Sequence, residues 1–156
     1  MIKQFIIAAA LTASAATTVT ADGSRQTATP LIPEGWEEIY KDFGFSPALQ
    51  IGDTIYVSGM ISRLSGEGTY EQRYANGLRN LFKTLEKMIA PAGATLDDII
   101  EMTSFHTDLP RQMRTILDVR KELMNEPHPA WTAVGTTSLA TPDGQTEIKF
   151  TLKLKK

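Results

Sequence analysis

Two side chains in the C-terminal half of the chain have the chemistry of proton transfer. Glu147 lies in a run where apolar and polar residues alternate, which places its carboxylate on the polar face of a predicted strand. A carboxylate held near a water molecule acts as a general base toward that water. The alternative is a solvated strand residue beside Lys149, the commoner role of an acidic side chain. His106 also titrates near neutral pH when unperturbed, although a lone histidine in a strand is more typical of a structural position.

Several other kinds of catalytic centre lack the residues that they need. The chain has no cysteine, which excludes a cysteine nucleophile, a thiolate metal site and an iron–sulfur cluster. His106 and His128 are the only histidines, too few for the usual catalytic zinc site. Neither a Ser-His-Asp order nor a glycine-rich phosphate loop stands out. The sequence therefore predicts no metal site and no cofactor.

The composition is typical of a soluble globular protein. A length of 156 residues favours one domain, and 42% of the residues are hydrophobic and 22% charged. The formal net charge is −2, and basic residues cluster only at the C-terminal Lys155 and Lys156. This charge gives little attraction for phosphate groups, so nucleic acid is not an expected partner.

The N-terminus has the pattern of a secretory signal peptide. Lys3 precedes an apolar or small-residue run over residues 5–16, and Val19 and Ala21 supply small residues at the −3 and −1 positions. The run is too short and too weakly apolar for a membrane-spanning helix. We expect a signal peptide at residues 1–21, an N-terminal arm at 22–34, a domain at 35–156, and export to the periplasm or medium without membrane association. The alternative for the first residues is a disordered or interfacial tail.

Hydrophobic periodicity predicts an α+β fold. A capping box formed by Thr69 and Gln72 precedes a helix expected over residues 70–89, and a second helix is expected over residues 110–124. Strands are predicted at residues 36–40, 48–51, 54–58, 102–107, 131–139 and 145–154, with a loop at 61–68. Two amphipathic helices bury their apolar stripes on one face of a mixed sheet, in a two-layer sandwich. The other face is then wet or covered by another subunit.

Three motifs in this order resemble those of the Rid family (RidA/YjgF). Tyr56-Val57-Ser58-Gly59 resembles the family's strand motif. The run from Leu85 through Gly93 to Ile100 resembles its helix–loop–strand signature. Pro129-Ala130-x-Thr132 together with Glu147 resembles its C-terminal motif. The match extends over roughly residues 35–154, nearly the whole expected domain.

The resemblance implies a chorismate-mutase-like fold and a homotrimer. In that assembly three sheets form a central barrel, the helices lie outside, and three small-molecule clefts lie between neighbouring subunits. The best-known members hydrolyse imines and enamines to 2-oxo acids and ammonia without a metal or an organic cofactor. Glu147 matches the acidic residue thought to position or activate the attacking water. Ser58, Gly59 and Ala133 match positions that contact the ligand, the last two through the main chain.

Three positions depart from the family pattern and make the expected cleft more apolar. Trp131 stands where those members have an Arg that clamps the substrate carboxylate, Phe45 stands where a Tyr is usual, and Ile116 stands where many carry an Asn. Tryptophan offers an aromatic face and one N–H in place of a charged fork, which disfavours small carboxylates and favours aromatic or cationic ligands. Among Arg63, Arg73 and Arg79, Arg63 is the best candidate to supply the missing charge, with a solvated surface role as its alternative.

Three functions follow from these residues. The first is hydrolysis of an imine, enamine or related C–N bond, with Glu147 orienting the water and with Trp131 and Phe45 shaping the pocket. The second is non-catalytic binding of a small apolar or aromatic molecule in the same clefts. The third is a chaperone-like or protein-interaction role, for which the sequence offers no specific feature.

Overall fold

A computed structural model describes residues 23–155, which form six strands and three α-helices. The strands are β1 (Thr29–Leu31), β2 (Ala48–Ile51), β3 (Thr54–Arg63), β4 (Ile99–His106), β5 (Ala130–Gly135) and β6 (Gly144–Lys153). The helices are α1 (Glu37–Phe43), α2 (Tyr70–Ile89) and α3 (Leu109–Leu123), with short 3-10 turns at Ser24–Thr27, Ala90–Ala92 and Leu96–Asp98.

The strands form one mixed sheet in the order β1-β2-β3-β6-β4-β5. The pairs are antiparallel except β4 and β5, which run parallel and are joined through α3. Strand β5 is therefore an edge strand, and β1 forms the opposite edge. The expected α+β architecture with a mixed sheet is confirmed.

Helices α2 and α3 cover one face of the sheet and enclose the core. Helix α2 begins at the predicted capping box, in which the Gln72 amide donates to the Thr69 hydroxyl and the Gln72 side chain accepts from the Thr69 amide. Phe82 of α2 meets Phe150 of β6 edge-on, with 5.7 Å between ring centroids. The largest fully buried side chains are Tyr74, Phe82, Phe150, Ile55, Leu78, Leu85, Met88, Ile89, Met102, Ile116, Ile148 and Leu152.

The predicted strand at residues 36–40 is wrong, because this segment is the start of α1. Glu37 and Glu38 lie in the first helical turn, where acidic side chains favour the partial positive charge of the helix terminus. Gly44 ends the helix in the left-handed conformation, with a φ of 67°. No residue of α1 is buried, so burial did not impose the alternation that a strand needs.

Three strand boundaries also differ from the prediction. Strand β3 continues through Arg63 into the segment predicted as a loop, because residues up to that point still pair with β6. Strand β4 begins at Ile99 rather than at residue 102, and β5 ends at Gly135 rather than at residue 139.

The N-terminal arm contains a strand that was not predicted, because β1 within it pairs with β2. The predicted signal peptide lies outside the described residues. Within residues 23–155, no helix is long and apolar enough to cross a membrane.

The second face of the sheet has no helix over it within residues 23–155. Register pairing places Tyr56, Ile61, Phe105, Val134 and Glu147 on this face. Two of its aromatic or aliphatic side chains are well exposed, Tyr56 at 51% and Val134 at 41%. We call this surface the open face.

Candidate functional site

The Glu147 carboxylate lies against the backbone of Gly59 on the open face. The β3–β6 register shifts between Val57 and Met60, so that Ser58 and Gly59 together oppose Lys149 in a β-bulge. A Cβ built at Gly59 would overlap Oε1 of Glu147. The absence of a side chain at Gly59 therefore makes room for the carboxylate. Gly59 lies within β3, one residue beyond the predicted end of that strand.

The surroundings leave the Glu147 carboxylate free to bind a water or a ligand. Its register neighbours on the open face are Ile61 and Phe105, which are apolar, and Glu147 itself is partly buried. No hydrogen bond or ion pair to this carboxylate occurs within residues 23–155. A partly desolvated carboxylate without a counter-ion is suited to accept a proton from a bound water.

A cavity of about 1080 Å³ adjoins the bulge. Phe45, Ser58 and Gly59 line it, so three predicted site residues come together here, beside Tyr56 and Lys149. Phe45 is 43% exposed and follows the turn that ends α1. The Ser58 hydroxyl donates to the Ser46 carbonyl oxygen at 2.7 Å, so it holds the segment before β2 against the bulge.

Arg63 lies away from this cavity, at the far end of β3. Its Nε is 2.8 Å from a carboxylate oxygen of Asp143, in the turn before β6. The Arg63 guanidinium lowers the pKa of the Asp143 carboxyl. Arg63 thus has a counter-ion of its own, and the structure does not place it beside Glu147.

Trp131 and Ala133 point to the helix-covered face of β5, opposite to the open face. Register pairing sets Trp131 beside Met102 and Ala133 beside Ser104, both of which are buried under the helices. The indole N–H of Trp131 donates to the Ser104 hydroxyl at 2.8 Å. Arg120 of α3 lies over the indole, with its Cζ 4.3 Å from the ring centroid. One chain alone therefore does not bring Trp131 to Glu147.

A buried polar network, which was not predicted, continues inward from Ser104. His106 Nε2 is 2.8 Å from the Ser104 hydroxyl, and His106 Nδ1 is 3.2 Å from Oε1 of Gln112 and 3.1 Å from the Thr146 hydroxyl. The Tyr74 hydroxyl is 2.6 Å from the Thr146 hydroxyl. The signal in the sequence was the spacing of Ser104 and His106, which puts two polar residues on the core face of a predicted strand.

The hydrogen bonds determine the tautomer of His106. The Gln112 amide nitrogen donates to the Gln145 carbonyl, so its oxygen faces His106 and requires a proton on Nδ1. Nε2 is then an acceptor, and it receives the Ser104 hydroxyl proton. Burial lowers the pKa of His106, which favours this neutral form. These contacts give His106 a structural role, the alternative to proton transfer that the sequence also offered.

Comparison with known proteins decides the family. Residues 37–153 match the family described as Endoribonuclease L-PSP. The RutC family protein YjgH of Escherichia coli (strain K12) is 38% identical over 121 residues, which is 77% of this chain and 92% of YjgH. This chain belongs to the Rid (YjgF) family.

Other proteins are similar to this chain in sequence, in structure, or in both. A 2-iminobutanoate/2-iminopropanoate deaminase of Dermatophagoides farinae is 28% identical over 100 residues, 61% of this chain and 74% of the relative. A solved structure of protein YjgH is 34% identical, with a TM-score of 0.66 over 82% of this chain and 97% of that one. A YjgF/YER057c/UK114 family member from Mycobacterium tuberculosis is 26% identical, with a TM-score of 0.67 over 81% and 99%.

The departures from the Rid pattern have different structural consequences. Ile116 is fully buried against the core, so the expectation that it makes a cleft more apolar is wrong. Phe45 lines the cavity beside the bulge, and Trp131 lies on the edge strand with its N–H already engaged. Within residues 23–155, no group of three or more His, Asp or Glu side chains is arranged to hold a metal ion.

Proposed function

We propose that this Rid-family protein hydrolyses imines or enamines, using its own side chains and a bound water. Water adds to the C=N carbon while Glu147 accepts its proton, that proton passes to the nitrogen, and the resulting carbinolamine loses ammonia to leave a carbonyl. An enamine first tautomerises to the imine. The observation that carries this proposal is the partly buried Glu147 carboxylate, which lies over Gly59 and has no hydrogen-bond or ion-pair partner among residues 23–155.

Two further points favour this chemistry over the RNA cleavage that the family description mentions. One relative carries the name of a 2-imino acid deaminase. The formal net charge of −2 offers little attraction for a phosphate backbone. Both points agree with a small neutral or singly charged substrate.

The complete site requires a second copy of the chain. Glu147, Phe45, Ser58 and Gly59 lie on one side of the sheet, whereas Trp131 lies on the other side of an edge strand. We expect the open face and β5 of neighbouring subunits to meet in a homotrimer, with the clefts between subunits. In this arrangement Trp131 of one subunit approaches Glu147 of the next.

The second candidate function is non-catalytic binding of a small molecule in the same clefts. The Trp131 N–H is engaged by Ser104, and Phe45 lacks the hydroxyl of the tyrosine usual at its position. Both features reduce the polar contacts available to a reacting substrate. A site with fewer polar groups is still able to hold an apolar or aromatic ligand.

We also propose that the protein is exported from the cytosol. A signal peptide over residues 1–21 would place the protein in the periplasm or the medium. Its substrate would then arise outside the cytosol. Detection of the processed chain in a periplasmic or culture fraction, with an N-terminus at residue 22, tests this point.

Ammonia release from freshly generated imines tests the hydrolysis. We expect activity in the parent protein and a loss of roughly 100-fold or more in Glu147→Gln, because proton transfer by a positioned side chain contributes about 10²–10⁴-fold. Glu101→Gln is the matched control, since Glu101 is an exposed acid of β4 that bonds Thr151. Parent activity that survives in Glu147→Gln would overturn the role of Glu147. A parent that binds but does not hydrolyse would favour the second function.

A further inference from the structure

A second cavity lies between β3 and α2, away from the one beside the bulge. Its volume is about 330 Å³, and β3 contributes Met60 and Ser62 to its lining. Both of these residues are buried toward the helices, whereas Ile61 between them pairs with Glu147 on the open face. The two cavities have different lining residues. A ligand in this second cavity would therefore not occupy the Glu147 site.

The Ser62 hydroxyl is a polar group at this cavity that has no partner. The side chain is 1% exposed, and its oxygen has no hydrogen bond within residues 23–155. Other polar side chains of the lining are already engaged, because Asn80 Nδ2 donates to the Ser65 hydroxyl at 3.0 Å and the Thr84 hydroxyl donates to the Asn80 carbonyl oxygen at 2.9 Å. The remaining side chains with a buried, unpartnered atom lie outside this cavity. A buried hydroxyl without a partner is unfavourable, so a bound polar group would stabilise Ser62.

The walls of the cavity are mainly apolar and offer no free charge. Trp36, Met60 and Leu81 line it, and Trp36 comes from the segment just before α1. The charged residue of the lining is Arg63, whose guanidinium is paired with Asp143. An apolar lining with one convergent polar group suits an uncharged ligand.

We propose that this cavity binds a small uncharged aromatic molecule whose hydroxyl group bonds to Ser62. The volume lies near the lower end of the roughly 300–1,000 Å³ that ligand pockets span, which suits a molecule with a single ring. The indole of Trp36 supplies an aromatic face against which that ring packs. This site is additional to the one at Glu147, and its occupancy does not depend on imine hydrolysis.

The fluorescence of Trp36 measures binding at this cavity directly. In a Trp131→Phe background Trp36 is the remaining tryptophan of the chain. The probes are phenol and toluene, which have similar shapes and differ in that phenol carries a hydroxyl where toluene carries a methyl group. We expect both probes to give a saturable change in Trp36 fluorescence. A signal that never saturates with either probe would overturn the site.

Ser62→Ala isolates the hydrogen bond from the burial of the ring. We expect the affinity for phenol to fall about threefold to tenfold, the range for one hydrogen bond between uncharged groups. The affinity for toluene should stay at the parent value or rise, because the cavity loses a polar group. Ser138→Ala, a change at an exposed serine, is the matched control and should bind both probes like the parent. An equal effect of Ser62→Ala on both probes would overturn the contact with Ser62.

Thr84→Phe fills the cavity from α2 and tests where the probes bind. We expect the Trp36 signal from both probes to disappear, while Lys83→Phe, at an exposed neighbour on the same helix, should keep it. Circular dichroism checks that each variant is folded. Parent-like binding in folded Thr84→Phe would overturn the assignment to this cavity. If Thr84→Phe does not fold, the ratio of phenol to toluene affinity in Ser62→Ala still decides the proposal.

Discussion

The position of the Glu147 carboxylate depends on a neighbour that has no side chain. Ser58 and Gly59 form the bulge opposite Lys149, and the carboxylate occupies the space that a Cβ at Gly59 would fill. A bulge beside a functional group re-aims side chains without changing the rest of the ladder. The same two strands have a second register shift between Ser62 and Arg63, while buried residues alternate along β6.

The substitution Gly59→Ala should change the position of the Glu147 carboxylate without changing the fold. The added methyl group should displace the flexible end of Glu147, so we expect ammonia release to fall at least roughly 10-fold while the unfolding free energy changes by less than about 1 kcal/mol. Imine hydrolysis and urea unfolding measure the two quantities. Gly135→Ala is the control, because its Cβ would meet only Leu109 Cβ at 3.9 Å. Full activity in Gly59→Ala would show that the carboxylate position is unimportant.

The neutral state of His106 makes stability depend on pH. Burial holds the pKa of His106 in the folded chain below the ordinary value of 6.5, so the unfolded chain binds more protons in this window. The free energy of unfolding should therefore be fully retained above pH 6.5 and fall as the pH drops toward the folded pKa. The slope from this one group is at most about 1.4 kcal/mol per pH unit.

Urea unfolding between neutral and mildly acidic pH measures this effect. His106→Gln should lose that part of the slope, although it should also be less stable at neutral pH because Ser104 and Gln112 lose a partner. His128→Gln should keep the parent slope, since His128 is exposed. Parallel pH profiles for the parent and His106→Gln would contradict the assignment.

Elements were predictable where several local signals in the sequence agreed. Helix α2 has a capping box, a clear apolar stripe and a Pro-Gly stop, and its predicted bounds are confirmed. Helix α1 lacks buried residues, so hydrophobic periodicity carried no information about it. The prediction ended β3 at residue 58 because Gly59 follows, although pairing with β6 continues to Arg63.

The site was predictable only in part, because its geometry comes from contacts distant in sequence. Phe45, Ser58 and Gly59 share a cavity, and their contact with a ligand stays a prediction. Arg120 of α3 lies over the ring of Trp131 in β5, and hydrophobic periodicity does not reveal a contact of this kind between two elements. The same is true of the hydrogen bond from Trp131 to Ser104, which joins residues 27 positions apart.

A substitution at Gly77 tests how closely α2 packs against β3. Alanine is intrinsically better than glycine within a helix by about 1 kcal/mol, but a Cβ at Gly77 would overlap the Arg63 carbonyl oxygen of β3. Because this neighbour is backbone, we expect Gly77→Ala to be net destabilising by roughly 1–3 kcal/mol in urea unfolding. Lys83→Ala, an exposed change on the same helix, should stay within about 0.5 kcal/mol of the parent. A stabilised Gly77→Ala would show that the helix moves freely on the strand.

The molecule as a whole has a sheet with two unlike faces. One face is sealed by α2 and α3, and its polar atoms are joined in the network around His106. The open face combines exposed Tyr56 and Val134 with charged residues such as Lys149. An apolar and charged surface of this kind is typical of a partner interface rather than of a solvated sheet.

In the homotrimer that we propose, β5 of one subunit would meet the open face of another and complete the site. Size-exclusion chromatography with light scattering should give the mass of three chains for the parent. Val134→Arg places a charge on the open face of the edge strand and should shift the mass toward one chain. Phe43→Ser is the control, since Phe43 is 73% exposed on α1 and should leave the mass unchanged. Loss of the assembly in Val134→Arg should also abolish imine hydrolysis, because Trp131 and Glu147 then stay on opposite sides of one sheet. A parent with the mass of one chain would contradict the shared cleft directly.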